Sequence, residues 1–362
     1  MQWLFLIILL PYIYLITKIY ISLKKIKTFL PKTDPEIFVS VIVACRNEEK
    51  TLPMLLSDIA CQTYNPDLFE LIVVNDNSSD STFEIASGFS RIRNLKVMNS
   101  DGKGKKKAIR TGVGVSAGSY IITTDADCRI GKNWLKTIVS FQDEHKPEMI
   151  ICPVKMEGGK GFFHGFQELE FLSLQGITAG TAFTENPVMC NGASLAFQKG
   201  SYLKHAGNLH DELASGDDIF LLHNIKSDPG KKIMWLESAE ATPVIRTSDN
   251  LWSFLRQRAR WISKAGDYSD RFTKVLAIVT FVTISTQLLL LLAGLFYPGL
   301  VWIFAVYFLL KSVPDFLVLS STAARYGKKN HMRWFLPSQL VYPFYVLAIV
   351  PCSVFNRAKW SY

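Results

Sequence analysis

The apolar residues of this chain are gathered into long runs near its two ends, which limits the possible folds more than any other feature. Residues 3–23 are apolar apart from Lys18, long enough to cross a hydrocarbon core about 30 Å thick. Basic residues follow this run instead of preceding it, and no small-residue cleavage site closes it. A retained anchor over residues 1–23 is therefore expected rather than a secretory signal peptide. Residues 275–297 carry no charge, and 299–319 follow across Tyr297-Pro298-Gly299, which predicts a helical hairpin of two membrane spans. A last run, 335–355, holds Pro337, Pro343 and Pro351 and reads as a kinked span or a re-entrant piece.

The formal net charge of +9 is placed around these runs. Lys24, Lys25, Lys27 and Lys32 lie in a basic linker over 24–37. Arg256, Arg258, Arg260, Lys264, Arg271 and Lys274 precede the hairpin, and Arg325, Lys328, Lys329 and Arg333 follow it. By the positive-inside rule all three clusters face the cytosol, together with the domain between them. The expected location is a plasma membrane, the inner one in a bacterium. Most of the excess charge is thereby topological, so the membrane is the expected partner and nucleic acid is not. The sequence points to no protein partner. The six cysteines show no metal-ligand spacing, so neither zinc nor disulfides are expected.

Between the runs, 38–44, 71–74 and 120–124 are short β-branched segments separated by helical stretches. This alternation predicts an α/β domain with a parallel sheet over 38–250, whose ligands bind beyond the carboxyl ends of the strands. Each of those ends is polar: Cys45 to Glu49, Asn75 to Asp80, and Asp125-Ala126-Asp127.

Asp125 and Asp127 alternate at the end of a strand, a spacing that brings two carboxylates to one hard cation, Mn²⁺ or Mg²⁺. A turn with solvated aspartates is the alternative. Asp76 suits a base-reading carboxylate or an Asx turn. Residues 101–107 hold glycines and lysines, Lys103 among them, that suit phosphate, without the Walker A spacing; a solvated basic loop is the competing reading. Asp217 and Asp218 adjoin before an apolar run, which suits a general base held beside a second acid, or a helix N-terminal pair favoured by the dipole. Residues 251–274, with Gln257-Arg258-Ala259-Arg260-Trp261, make an amphipathic basic segment expected at the membrane interface. His164, Glu168 and Glu170 read as solvated residues of an amphipathic helix over 161–174. His205, His210 and His223 flank the Asp217-Asp218 pair, and one of them is a weaker candidate for a third metal ligand.

Taken in order, VSVIVACRNEE, VVNDNSSD, TTDAD, SGDD and QRARW resemble the family 2 glycosyltransferases of the GT-A fold. The likeness is to the membrane-integrated branch that contains cellulose, chitin and hyaluronan synthases and ceramide glucosyltransferase, and it runs from Phe38 to Trp261. It implies a Rossmann-like nucleotide-diphospho-sugar transferase domain and an inverting, metal-dependent transfer from a nucleotide sugar, with a UDP-sugar expected. Ala44, Arg46 and Glu48 would lie by the nucleoside and Asp76 would read the base. Asp125 would contact ribose or diphosphate, and Asp127 would be the principal metal ligand. Asp218 matches the base that deprotonates the acceptor hydroxyl, with Asp217 as its neighbour. Gln257 and Arg260 would hold the diphosphate and Trp261 would face the acceptor, whose pocket Cys190-Asn191-Gly192 would line. Arg46 and Ala44 depart from the tyrosine and hydroxyl residues frequent in the family, which loosens the inference about base contacts.

The few C-terminal spans favour a lipid or lipid-linked acceptor over a growing polysaccharide, the product of a processive synthase. A non-catalytic transporter or scaffold is the rival from another class. Lys18, Lys311 and Asp315 are the chief ionisable groups of the spans, which is thin material for a solute pathway.

Overall fold

The computed structural model describes residues 4–213 and 215–355. Trp3, at the edge of the first predicted span, lies outside them, as does the side chain of Cys352. Helix α1 (Leu4–Lys25) leads into strand β1 (Val39–Cys45), helix α2 (Leu52–Ala60), strand β2 (Phe69–Asn75) and helix α3 (Thr82–Ser87). Strand β3 (Leu95–Asn99), helix α4 (Lys105–Val115), strand β4 (Tyr120–Thr123) and helix α5 (Trp134–His145) continue the alternation. Strands β5 (Met149–Ile151) and β6 (Lys155–Glu157) precede the long helix α6 (Phe162–Phe183). Then come strand β7 (Leu195–Gln198), helices α7 (Lys199–His205) and α8 (Asp217–Ser227), and strands β8 (Ile233–Trp235) and β9 (Val244–Arg246). Helices α9 (Leu251–Ile262), α10 (Arg271–Gly294), α11 (Pro298–Arg325) and α12 (Phe335–Phe355) complete the described chain.

These elements sort into two units. The first comprises Lys27–Lys155 and Met189–Arg246 and holds a seven-stranded sheet in the order β3-β2-β1-β4-β7-β5-β8. Strands β1, β2, β3 and β4 are parallel, with Cys45 level with Asn75 and Ile42 level with Thr123. Their side chains explain the arrangement: VSVIVAC and FELIVVN are buried nearly throughout, as strands covered by helices on both faces must be. From β1 the chain winds outward through β2 to β3, then returns to place β4 on the other flank of β1. The carboxyl ends of β1 and β4 therefore border a topological switch point, where open α/β sheets bind ligands.

The segments 38–44, 71–74 and 120–124 thus appear as β1, β2 and β4, while β3, β5, β7 and β8 had no distinct signature. Strand β3 is only partly covered, and the others are three or four residues long, too short for a period to show. Strand β7 runs antiparallel to both β4 and β5. Buried Glu70 accepts hydrogen bonds from the Ser40 hydroxyl and the Ala117 amide, both at 2.6 Å, and pairs with Lys96 at 2.7 Å. Burial pushes its carboxyl up, but the bonds from Lys96, Ser40 and Ala117 outweigh this and hold it below the usual range.

The second unit gathers the chain up to Ile26, Met156–Val188 and the chain from Thr247 onward. Three helices, Phe5–Lys25, Arg271–Gly294 and Pro298–Arg325, are long and apolar enough to cross a membrane, so the chain is membrane-associated. Helix α11 continues past the 299–319 run to Arg325, and α12 carries its prolines within one helix. Lys311 lies midway along α11, fully buried, with its ammonium 2.7 Å from Asp315 and 2.8 Å from Gln339 Oε1. The Tyr12 hydroxyl donates to the other Asp315 oxygen at 2.6 Å. Lys311 and Asp315, two of the chief ionisable groups of the spans, are thereby paired with each other.

Glu168 and Glu170 are buried, contrary to the solvated positions expected for them. Glu168 lies 2.8 Å from Lys328 Nζ and 3.0 Å from His331 Nε2, and Glu170 pairs with Arg258. All three partners come from segments far along the chain, so the local period around 161–174 carried no sign of them. His164 meets the Thr247 hydroxyl at 2.8 Å.

Candidate active site

The loops after β1 and β2 are bonded together at the carboxyl edge of the sheet. The Asn47 amide donates to Ser78 Oγ at 3.0 Å, and Ser79 returns a bond to Asn47 Oδ1 at 2.8 Å. Glu48 N reaches Thr82 Oγ1 at 2.7 Å, and Glu49 N reaches Asp80 Oδ2 at 3.2 Å. Asn47 and Asn77 adopt φ of 55° and 53°, a conformation that asparagine tolerates better than most residues. Ala44, Arg46 and Glu48 are half-buried on this platform. Burial raises the Glu48 carboxyl, a hydrogen bond from Thr51 opposes that, and the charges of Asp127, Asp125 and Asp80 raise it further.

Asp76 is buried beneath the platform's edge. Its Oδ1 accepts the Gly104 amide at 2.8 Å, while Oδ2 has no hydrogen-bond partner. A buried carboxylate oxygen without a donor is costly and suits a site whose donor arrives with a ligand, such as the N–H of a nucleobase. Gly104 sits at φ 99°, open to glycine and strained for other residues, just before α4.

Helix α4 then presents Lys105, whose ammonium pairs with Asp125. Burial disfavours the charged form, but Asp125, Asp217 and Asp218 together outweigh it and hold Lys105 protonated. Gly216, at φ 100°, precedes Asp217 and Asp218 in the first turn of α8. Asp218 Oδ2 accepts the Gly192 amide at 3.0 Å, and Oδ1 accepts its neighbour's amide, Ile219 N, at 2.8 Å. A Cβ on Gly192 would lie 3.4 Å from Lys105 Nζ and 3.7 Å from Asp218 Oδ2, so that loop abuts both groups. Asn191 Oδ1 caps the turn by accepting Ala193 N at 3.0 Å, and Cys190 is half-buried beside it.

The sheet unit therefore brings together Glu48, Asp76, Asp125, Asp127, Asp217, Asp218 and the Cys190-Asn191-Gly192 segment. Lys103 is exposed, and the lysine beside the carboxylates is Lys105, two residues on. Gly104 before Lys105 is visible in the sequence, but its φ of 99° and the start of α4 at Lys105 come only from the structure. His205 pairs with Asp228 and His210 with Glu212.

Among the described residues no group of three or more His, Cys, Asp or Glu is arranged to hold an ion. Asp125 and Asp127 still fit a divalent cation of the kind that takes one or two carboxylates and completes its shell with substrate phosphates and water.

In the helical unit, Asn250 caps α9 by accepting Ser253 N at 2.9 Å. Gln257, Arg260 and Trp261 lie along this helix, where Gln257 Oε1 accepts Arg258 Nη1 at 2.6 Å. The Arg258 guanidinium stacks 4.2 Å from the Trp261 ring centre.

Residues 40–205 match the model of glycosyl transferase family 2. The chain is 34% identical over 126 residues to the poly(ribitol-phosphate) beta-N-acetylglucosaminyltransferase TarS of Staphylococcus aureus, covering 34% of this chain and 22% of that protein. It is 25% identical over 231 residues to the poly-beta-1,6-N-acetyl-D-glucosamine synthase of Staphylococcus epidermidis, covering 62% of this chain and 53% of that protein. The chain thus spans about half or less of the length of these curated relatives. Among solved structures, the mannosyltransferase PcManGT of Pyrobaculum calidifontis, in complex with GDP-Man and Mn2+, superposes with a TM-score of 0.62. It covers 99% of both chains at 16% identity, which shows the fold.

Proposed function

Because this chain belongs to the family 2 glycosyltransferases and folds as a GT-A domain, we propose that it moves a sugar from a UDP-sugar to a lipid or lipid-linked acceptor at the cytosolic membrane face. The observation that carries the reading is the Lys105 ammonium paired with Asp125 and facing Asp218 across Gly192 at the carboxyl edge of the sheet. Such an arrangement places both signs of charge where a diphosphate must leave and a hydroxyl must lose its proton.

Asp76 takes the base N–H on its open oxygen. Glu48 and Arg46 flank the nucleoside, and Lys105 and Lys103 supply positive charge toward the phosphates. A divalent cation held by Asp127 and Asp125, Mn²⁺ or Mg²⁺, would supply charge neutralisation to the departing diphosphate. By the resemblance to the family, Gln257 and Arg260 would hold the same leaving group and Trp261 would face the acceptor. Asp218, oriented by Gly192 N and Ile219 N, accepts the proton of the acceptor hydroxyl as that oxygen attacks the anomeric carbon. The bond from that carbon to the diphosphate breaks as the new C–O bond forms, so configuration inverts. Asp217 adds negative charge that keeps Lys105 in place.

The lysines and arginines around the spans support a cytosolic face for this chemistry. Two relatives are named for N-acetylglucosamine, which makes it the first sugar to test. The name of the second also supports a processive reading, in which the acceptor is the end of a growing chain. The test is transfer from radiolabelled nucleotide sugars by the purified membrane protein. Asp218→Asn should lose roughly 10²–10⁴-fold in turnover while keeping donor affinity. Wild-type turnover in that variant would remove the proposed base, and a ladder of long products would replace the lipid acceptor with a polymer.

A further inference from the structure

Arg258, the residue after Gln257 in QRARW, has no place in the chemistry above, yet it is among the largest fully buried side chains of the described residues. Its Nε lies 3.1 and 3.0 Å from the two Glu170 oxygens, and Nη2 lies 2.6 Å from Oε2. The Tyr345 hydroxyl donates to Glu170 Oε1 at 3.2 Å, so α12 holds the carboxylate from a further side. On its flat faces the guanidinium meets Phe254 at 4.9 Å and Trp261 at 4.2 Å. Its remaining arm, Nη1, donates to Gln257 Oε1 at 2.6 Å.

Two consequences follow from donor and acceptor chemistry. An amide whose oxygen is turned onto a guanidinium leaves its NH₂ group facing away, so Gln257 presents a donor, the polarity an anionic leaving group requires. A guanidinium stacked against Trp261 also fixes the plane of that indole. A lysine could match the charge of Arg258 but not its fork.

We propose that Glu170 and Arg258 are positioning residues: a buried ion pair on α6 and α9 that sets the amide of Gln257 for transfer. This rests on the reading that Gln257 holds the diphosphate, and the test separates the two. Arg258→Lys keeps a cation against Glu170 while removing the bond to Gln257. It is compared with Gln257→Ala, Glu170→Gln and the Gln257→Ala/Arg258→Lys double variant.

The expected result is an Arg258→Lys protein that melts close to wild type, with kcat lower by roughly 10- to 100-fold and donor KM within about threefold. The double variant should be no slower than Gln257→Ala alone, because the arginine acts through the glutamine. Glu170→Gln should lower kcat in the same sense. If Gln257→Ala is impaired while Arg258→Lys turns over like wild type, or if the two losses multiply, the positioning role is refuted. If Gln257→Ala itself turns over like wild type, the diphosphate reading of Gln257 falls, and the positioning role with it.

Discussion

Replacing Lys311 with methionine tests whether the helical unit depends on its buried charges. The substitution keeps most of the side-chain volume and removes the contacts at 2.7 Å to Asp315 and 2.8 Å to Gln339. It leaves the Tyr12 hydroxyl, at 2.6 Å, as the remaining direct donor to the Asp315 carboxylate. Breaking one side of a buried ion pair costs about 3–5 kcal/mol, and a lone aspartate at the centre of a membrane helix costs about 2.5–3.5 kcal/mol by insertion scales. The overlap is near 3 kcal/mol, which corresponds to a fall in melting temperature of roughly 6–12 °C for a unit of this size. Thermal unfolding in detergent reads this directly. The triple variant Tyr12→Phe/Lys311→Met/Asp315→Leu removes charge and hydroxyl together and should recover more than half of the loss, since apolar replacement of a buried pair is often neutral. Lys311→Met melting within about 2 °C of wild type, or a triple variant melting lower than the single one, would refute the reasoning.

Other predictions concern the sheet unit. Glu70 has a folded carboxyl below its unfolded value, so its stabilisation is present above about pH 4.3 and lost as pH falls through the folded value. Glu70→Gln should therefore melt below wild type at pH 7, with the gap narrowing in acid; a gap that widens there would reverse the sign. Gly118→Ala puts a Cβ 2.7 Å from Ser40 N and should cost about 1–3 kcal/mol by overpacking against backbone. Gly114→Ala, in helix α4 with nothing within 4 Å, should instead stabilise by roughly 0.5–1 kcal/mol, and denaturant melts of both would expose a failure of either sign. Chelation should stop transfer, with Mn²⁺ or Mg²⁺ restoring it in wild type and not in Asp127→Ala; restoration in the variant would move the metal elsewhere.

The strands that position the site were legible because β1, β2 and β4 are continuous apolar runs, and each ends on the polar residues that build the candidate site. Local order also singled out Asp76, Asp125 and the Asp217-Asp218 pair as candidates. Lys105 was passed over for Lys103 because the two stand on either side of Gly104, and only the folded chain shows that α4 begins after that glycine and turns Lys105 toward Asp125. Glu170 and Arg258 were misjudged for a different reason. Each looks like an ordinary charge on an amphipathic helix, and their burial arises from the meeting of α6 with α9 and α12, a non-local event that periodicity does not encode.

The Arg325 guanidinium donates to the carbonyls of Leu23 at 2.6 Å and Ile26 at 3.2 Å, finishing the end of α1 from 302 residues away. Tyr12 likewise waits for Asp315, 303 residues later. On a ribosome adding 5–20 residues per second, that interval is roughly 15–60 s. During it α1 is already in the bilayer with its eventual protein-facing side against lipid, while the sheet unit can fold. Assembly of the helical unit therefore waits for α11, and then α12, to dock onto helices made first, and any interruption of synthesis before that point leaves a sheet domain with an unfinished helical half.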